Sequence, residues 1–175
     1  ILLQEHLNNV SSRILSSSFR FNLTPDASED PLKPLYTIGD TAEEFFTMQV
    51  LCRNVKKLFK ITMSSRHEIL FQLKMLLKED KSRYYIIRTD VCHCFESIPH
   101  DKLFEYLEGN NLLDVKSKFL LRGLIRREFE TKNLRPLVHT HQTGIPRGCA
   151  ISSLLSEFYL SKIDEVLRCK LPGIV

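Results

Sequence analysis

Asp90 is the residue best placed to do chemistry. It follows Tyr84, Tyr85, Ile86 and Ile87, an apolar run whose length and composition predict a buried strand. A carboxylate at the end of such a strand is costly unless a cation meets it. Carboxylate oxygens are the hard ligands that Mg2+ prefers. Phosphoryl transfer to a growing chain end uses two such ions roughly 3.5–4 Å apart. An aspartate at a strand terminus can bridge both ions, and Val91 can add its main-chain carbonyl. A little further on, Phe95 is placed to stand under the sugar of an incoming nucleotide, where an aromatic edge excludes a 2′-hydroxyl. Taken singly, a strand-end aspartate reads more often as a cap or turn, and a lone phenylalanine reads equally well as core.

A second segment complements the first. Gly144 and Gly148 bracket Ile145, Pro146 and Arg147 ahead of an apolar helix beginning near Ala150. Glycines permit close backbone approach or positive φ. Ser152 and Ser153 put small residues on the first turn, a surface against which a flat base pair can lie. Arg147 is a phosphate-binding residue type. Alone, this pattern is an ordinary loop-to-helix turn; its specificity comes from the pairing with Asp90.

Other clusters carry less. Cys92 and Cys94 around His93 are too closely spaced for a zinc finger, and no second pair follows in register. His139 and His141 fall on one face of an expected strand, and Cys149 reads as a small packing residue. Arg53, Lys56, Lys57 and Lys60 recur along one helix and can track a phosphate backbone, or can simply form a solvated face. Arg122, Arg126 and Arg127 read the same way, and Arg66 at a helix start is a further candidate for a template or triphosphate contact.

Residues 85–99, from Tyr85 through Asp90 and Phe95 to Pro99, resemble motif A of reverse transcriptases. Residues 142–160, from Gln142 through the glycine-bracketed turn to Leu160, resemble motif B, and the stretch from Arg53 to Arg66 is similar to the finger-to-palm segment of bacterial members. Arg147 stands where retroviral enzymes usually carry glutamine; with Ile-Arg-Thr-Asp and Leu-Ser-Glu-x-Tyr-Leu, the likeness is greatest to bacterial antiviral-defence and abortive-infection enzymes. The resemblance implies an α+β fold, the fingers and partial palm of a polymerase right hand, helix-rich with a small antiparallel sheet. Residues 1–82 would form the N-terminal helical and fingers region, and 83–175 the partial palm, with motif A at 84–98 and motif B at 142–160.

It further implies an RNA-directed DNA polymerase using dNTPs and two Mg2+ ions, with an RNA template and a DNA or protein primer, in a setting of anti-phage defence. Asp90 would be the catalytic metal ligand, Val91 a backbone ligand and Phe95 the sugar gate. Pro146, Arg147 and Gly148 would line the nucleotide site, and Lys57 and Arg66 would contact nucleic acid. The family's aromatic-x-Asp-Asp motif does not occur here and is expected beyond Val175, so the segment alone should be inactive. The alternatives are a non-catalytic RNA-binding scaffold, working with a non-coding RNA or partner subunit, and a retroelement or retron enzyme.

These residues need elements to hold them. Leu3, Leu7, Val10, Ile14 and Leu15 predict a first helix, stopped by Ser16, Ser17 and Ser18. Residues 23–33, with two prolines and three acids, predict a loop, and 35–38 a short strand. Thr41 to Glu44 is a capping box opening a helix to about Phe59. Ser65 to Glu68 is another, with Ile69, Leu70, Leu73 and Leu77 facing inward. Pro99 opens a helix that Gly109 ends, Asp114 caps the next, residues 134–140 suggest a strand, and a strong helix runs from Ala150 to about Leu167.

The bulk properties are permissive. The 175 residues suffice for one cored domain, and 43% hydrophobic with 26% charged residues is ordinary for a globular chain. A net charge of +4 permits nucleic-acid binding without demanding it. Five cysteines, none at a disulfide-framework spacing, fit a reducing cytoplasm. No apolar run is long enough to predict a membrane span.

Overall fold

The computed structural model describes residues 2–26, 34–63, 65–79, 87–109, 111–126 and 142–170. Seven helices and one two-stranded antiparallel sheet make up these residues, a helix-rich α+β fold. The helices begin where local chemistry starts them. α1 spans Leu2–Leu15 and α2 spans Ala42–Leu58. Thr41 caps α2: the Glu44 amide donates to Thr41 Oγ1 at 3.3 Å, and that hydroxyl donates to Glu44 Oε2 at 2.7 Å. Glu44 is buried, and its other oxygen accepts the Asn22 amide at 2.6 Å, tying the helix start to the chain just before residue 23.

α3 spans Arg66–Glu79, capped by Ser65 and Glu68 as their spacing predicts: the Glu68 amide donates to Ser65 Oγ at 3.2 Å and the Ser65 amide to Glu68 Oε2 at 2.6 Å. α4 is the short turn Cys94–Ser97, α5 spans His100–Glu108, and α6 spans Val115–Ile125. Asp114 caps α6 by accepting the Ser117 amide at 2.9 Å. α7 is the long helix Ala150–Lys170.

The core lies where α2 and α7 meet and where α5, α6 and the sheet close around them. Met48, Leu51 and Val55 of α2 join Ile151, Leu154, Leu155 and Phe158 of α7. Leu103 and Leu107 of α5 and Leu120, Leu121, Leu124 and Ile125 of α6 complete the cluster. Each such side chain contributes about 1.5–3 kcal/mol by leaving water. The rings of Phe59 and Phe158 sit 4.6 Å apart across the α2–α7 joint.

Three sequence expectations need correction. Residues 23–26 are not loop: they form β1, Leu23–Asp26, paired antiparallel with β2, Leu35–Ile38, in a register that sets Pro25 opposite Tyr36. A proline is tolerated on an edge strand, where its missing N–H costs no ladder bond. Residues 27–33 of the expected loop lie outside the described residues. Second, no residue of α3 is buried; Ile69 is 54% exposed, Leu70 45% and Leu73 41%. Their spacing marks one helix face, but nothing among the described residues covers it.

Third, the strand expected before Asp90 does not extend over residues 87–90. Residues 87–90 are irregular and exposed, Ile87 to 83%. Residues 84–86, the expected strand at 134–140, His139, His141 and Arg127 lie outside the described residues.

Candidate functional site

The chain just after Asp90, residues 95–100, is joined to residues 142–145 of the glycine-rich loop before α7. After Asp90 the chain hooks through His93, whose φ of 50° is left-handed, into α4. Histidine is among the few non-glycine residues found there with any frequency. The Phe95 carbonyl then accepts the Ile145 amide at 2.8 Å, and the Ile98 carbonyl accepts the Gly144 amide at 2.8 Å. Pro99 and Thr143 form an antiparallel bridge, and the His100 amide donates to the Gln142 carbonyl at 2.9 Å. Cys94 Sγ lies 3.4 Å from Ser156 Oγ, fixing α4 against α7.

The glycines have geometric work to do. Gly144 has φ 86° and Gly148 φ 90°. A Cβ on Gly148 would stand 2.6 Å from the Tyr36 carbonyl oxygen, which is backbone and has no side-chain freedom to move aside. This approach lets β2 pair onward with the loop: the Tyr36 amide donates to the Arg147 carbonyl at 2.7 Å, and Leu35 and Arg147 form a parallel bridge.

Arg147 is thus fixed through its backbone while its side chain stays 38% exposed. Its guanidinium meets Glu96 at 3.3 Å, an ion pair between α4 and the loop. With both partners partly exposed, that pair contributes little to stability, about 0–1 kcal/mol, and leaves the guanidinium available to a stronger anion.

The sequence candidates are placed as follows. Asp90 and Val91 are both exposed. Phe95 is partly buried against the core. Pro146 is fully buried and contributes position rather than open surface, and Gly148 is exposed. Ser152 is also buried: its hydroxyl donates to the Pro146 carbonyl, so of the two serines only Ser153 offers an exposed face. Lys57 in the last turn of α2 and Arg66 at the start of α3 are both exposed and lie on separate elements. Cys149 is buried, and burial, with the nearby Cys52, pushes its thiol up to about 11. That makes it a packing residue rather than a nucleophile.

Two residues escaped the sequence reading. Glu96 is the ion partner of Arg147. His100 is buried, and its Nε2 lies 2.6 Å from the Gly144 carbonyl. A carbonyl only accepts, so Nε2 carries the hydrogen. The signal for His100 was available: it stands on one helical face with Leu103 and Leu107, all three buried. A polar residue on a core face calls for a partner.

Asp90 and the Val91 carbonyl are hard oxygen donors of the kind Mg2+ takes. Among the described residues no group of three or more His, Cys, Asp or Glu side chains gathers to hold a metal ion. No helix among them is long and apolar enough to cross a membrane.

No family profile matches the chain, and no solved structure matches it. Two curated proteins do. The chain is 26% identical over 183 aligned positions to an uncharacterized 91 kDa protein in the cob intron of Schizosaccharomyces pombe, a match covering 91% of this chain and 21% of that protein. It is 33% identical over 86 positions to the putative COX1/OXI3 intron 2 protein of Saccharomyces cerevisiae, covering 49% of this chain and 10% of that protein. The chain therefore spans about a fifth or less of the relatives' length, and both relatives are named for introns.

Proposed function

We propose that this segment forms the fingers (1–82) and part of the palm (83–175) of an RNA-directed DNA polymerase belonging to an intron-borne retroelement. The observation that carries the reading is the backbone ladder joining residues 95–100 to 142–145, which holds the two motif-bearing segments side by side. Had they lain on opposite sides of the molecule, no common nucleotide site would be available. The intron setting rests on the two relatives' names; they lend no support to the anti-phage setting to which the motif details pointed.

In this reading Asp90 and Val91 supply oxygen ligands to Mg2+, with the remaining carboxylates coming from elsewhere in the whole protein. Bound there, Mg2+ would activate the primer hydroxyl and neutralise the triphosphate. Arg147 exchanges Glu96 for a phosphate of the incoming dNTP, a stronger, multidentate acceptor. Phe95, whose carbonyl accepts the Ile145 amide, would serve as the sugar gate, its ring edge rejecting a 2′-hydroxyl. Pro146 and Gly148 set the height of the loop against the base pair. Lys57 and Arg66 contact the RNA template.

The test uses the protein that carries this segment, with primed RNA, dNTPs and Mg2+. Asp90→Asn removes a metal ligand worth several kcal/mol, so incorporation should fall roughly a thousand-fold or more. Incorporation near the wild-type rate would remove Asp90 from the chemistry and favour a non-catalytic RNA-binding scaffold.

A further inference from the structure

The solvent face of α2 has a composition that stability does not explain. Its inward face is Glu44, Thr47, Met48, Leu51 and Val55. At the helical period the opposite face falls on Phe45, Phe46, Gln49, Val50, Arg53, Lys56 and Lys57, all exposed. Phe45 is 58% exposed and Phe46 47%, two adjacent rings set edge to face with centroids 5.5 Å apart. Both of the helix's acids are engaged elsewhere: Glu43 pairs with Arg13 at 3.0 Å, and Glu44 is buried. The face is therefore aromatic at one end and cationic at the other, with no acid of its own helix to neutralise it.

We infer that this face binds single-stranded nucleic acid, with Phe45 and Phe46 offering ring faces to bases and Arg53, Lys56 and Lys57 following the phosphates. An unpaired strand presents both chemistries at once, flat apolar bases and a regular row of negative charge, and aromatic platforms beside basic residues are how proteins hold it without reading sequence. A duplex hides its base faces and would use only the charges. From Phe45 to Lys57 the surface runs about 18 Å at roughly 1.5 Å per residue, a length suited to a few nucleotides.

A membrane surface fits less well. A helix lying in an interface needs an apolar face along its length, whereas here the apolar residues occupy one end and the inward face is already committed to the core. The inference enlarges the contact proposed for Lys57 into a surface, and it stands whether or not Asp90 is catalytic.

Fluorescence anisotropy with a fluorescein-labelled oligo(U) single strand tests it, titrated across salt concentrations. Phe45→Ala with Phe46→Ala should weaken binding about ten-fold or more while leaving affinity for the matching duplex unchanged. Arg53→Gln, Lys56→Gln and Lys57→Gln together should lower the slope of log affinity against log salt by roughly 2, three phosphate contacts at about 0.7 each. Wild-type affinity and slope in both variants, with unaltered circular dichroism, would overturn the inference. So would loss of binding to phosphatidylserine vesicles in these variants while RNA affinity is untouched. If the triple variant folds poorly, ultraviolet cross-linking of 4-thiouridine RNA to the wild-type protein reads the same surface. Cross-links within 45–57 are expected, and cross-links confined to other segments would contradict it.

Discussion

Replacing Gly148 with alanine should damage the junction on which the site depends. An L-residue held at the φ of 90° seen there carries roughly 1–2 kcal/mol of backbone strain. The added Cβ would stand 2.6 Å from the Tyr36 carbonyl oxygen and 3.3 Å from its nitrogen. Tyr36 is buried in the core cluster, so β2 cannot simply swing away. Relief requires the loop to withdraw, which breaks the Tyr36-to-Arg147 backbone bond of 2.7 Å and loses about 0.5–1.5 kcal/mol more. Together the loss comes to roughly 1.5–3.5 kcal/mol. With a urea m-value of about 2 kcal/mol/M, the unfolding midpoint should fall by roughly 1 M. Urea denaturation followed by circular dichroism measures this directly. A shift below about 0.3 M would refute the reasoning, because it would mean that the loop does not press against β2 as described.

Other outcomes follow from the same geometry. His100→Leu strands the Gly144 carbonyl in a buried setting and should cost about 1–3 kcal/mol; His100→Gln, which restores a donor, should recover part of it in the same denaturation assay. For Asp114, burial pushes the carboxyl up, but the Ser117 hydroxyl and amide outweigh it and hold the group below its ordinary value. A depressed carboxylate contributes stability that is present above the unfolded pKa and is lost as pH falls through the folded one. Asp114→Ala should therefore cost about 1 kcal/mol near neutrality, with the gap to wild type closing only below about pH 4 when thermal melts are compared across pH.

Local signals were the legible part of this sequence. The Thr41 and Asp114 caps and the Ser65 capping box declare themselves within four residues, and each forms as its spacing indicates. The joining of the two motif-bearing segments followed only from treating them as one site. Features set by distant partners were hidden. β1 looked like loop because Pro25 argues against a strand until β2 supplies the pairing. The apolar period of α3 names a face but not what covers it, and Ile87 looked like core until its exposure was seen. His100 could be flagged by its place on the core face of α5, but its partner, the Gly144 carbonyl, could not, and nothing local to Glu96 points to Arg147.

The convergence of Asp90 and the glycine-rich loop on one metal-bound nucleotide is most directly tested by cleavage from a bound metal. Fe2+ substituted for Mg2+ in the whole protein, with ascorbate, peroxide and a dNTP, generates radicals that cut the chain near the ion. Cuts are expected around both 88–92 and 144–148, suppressed by excess Mg2+. Cutting at only one of the two segments, or at neither, would contradict the account.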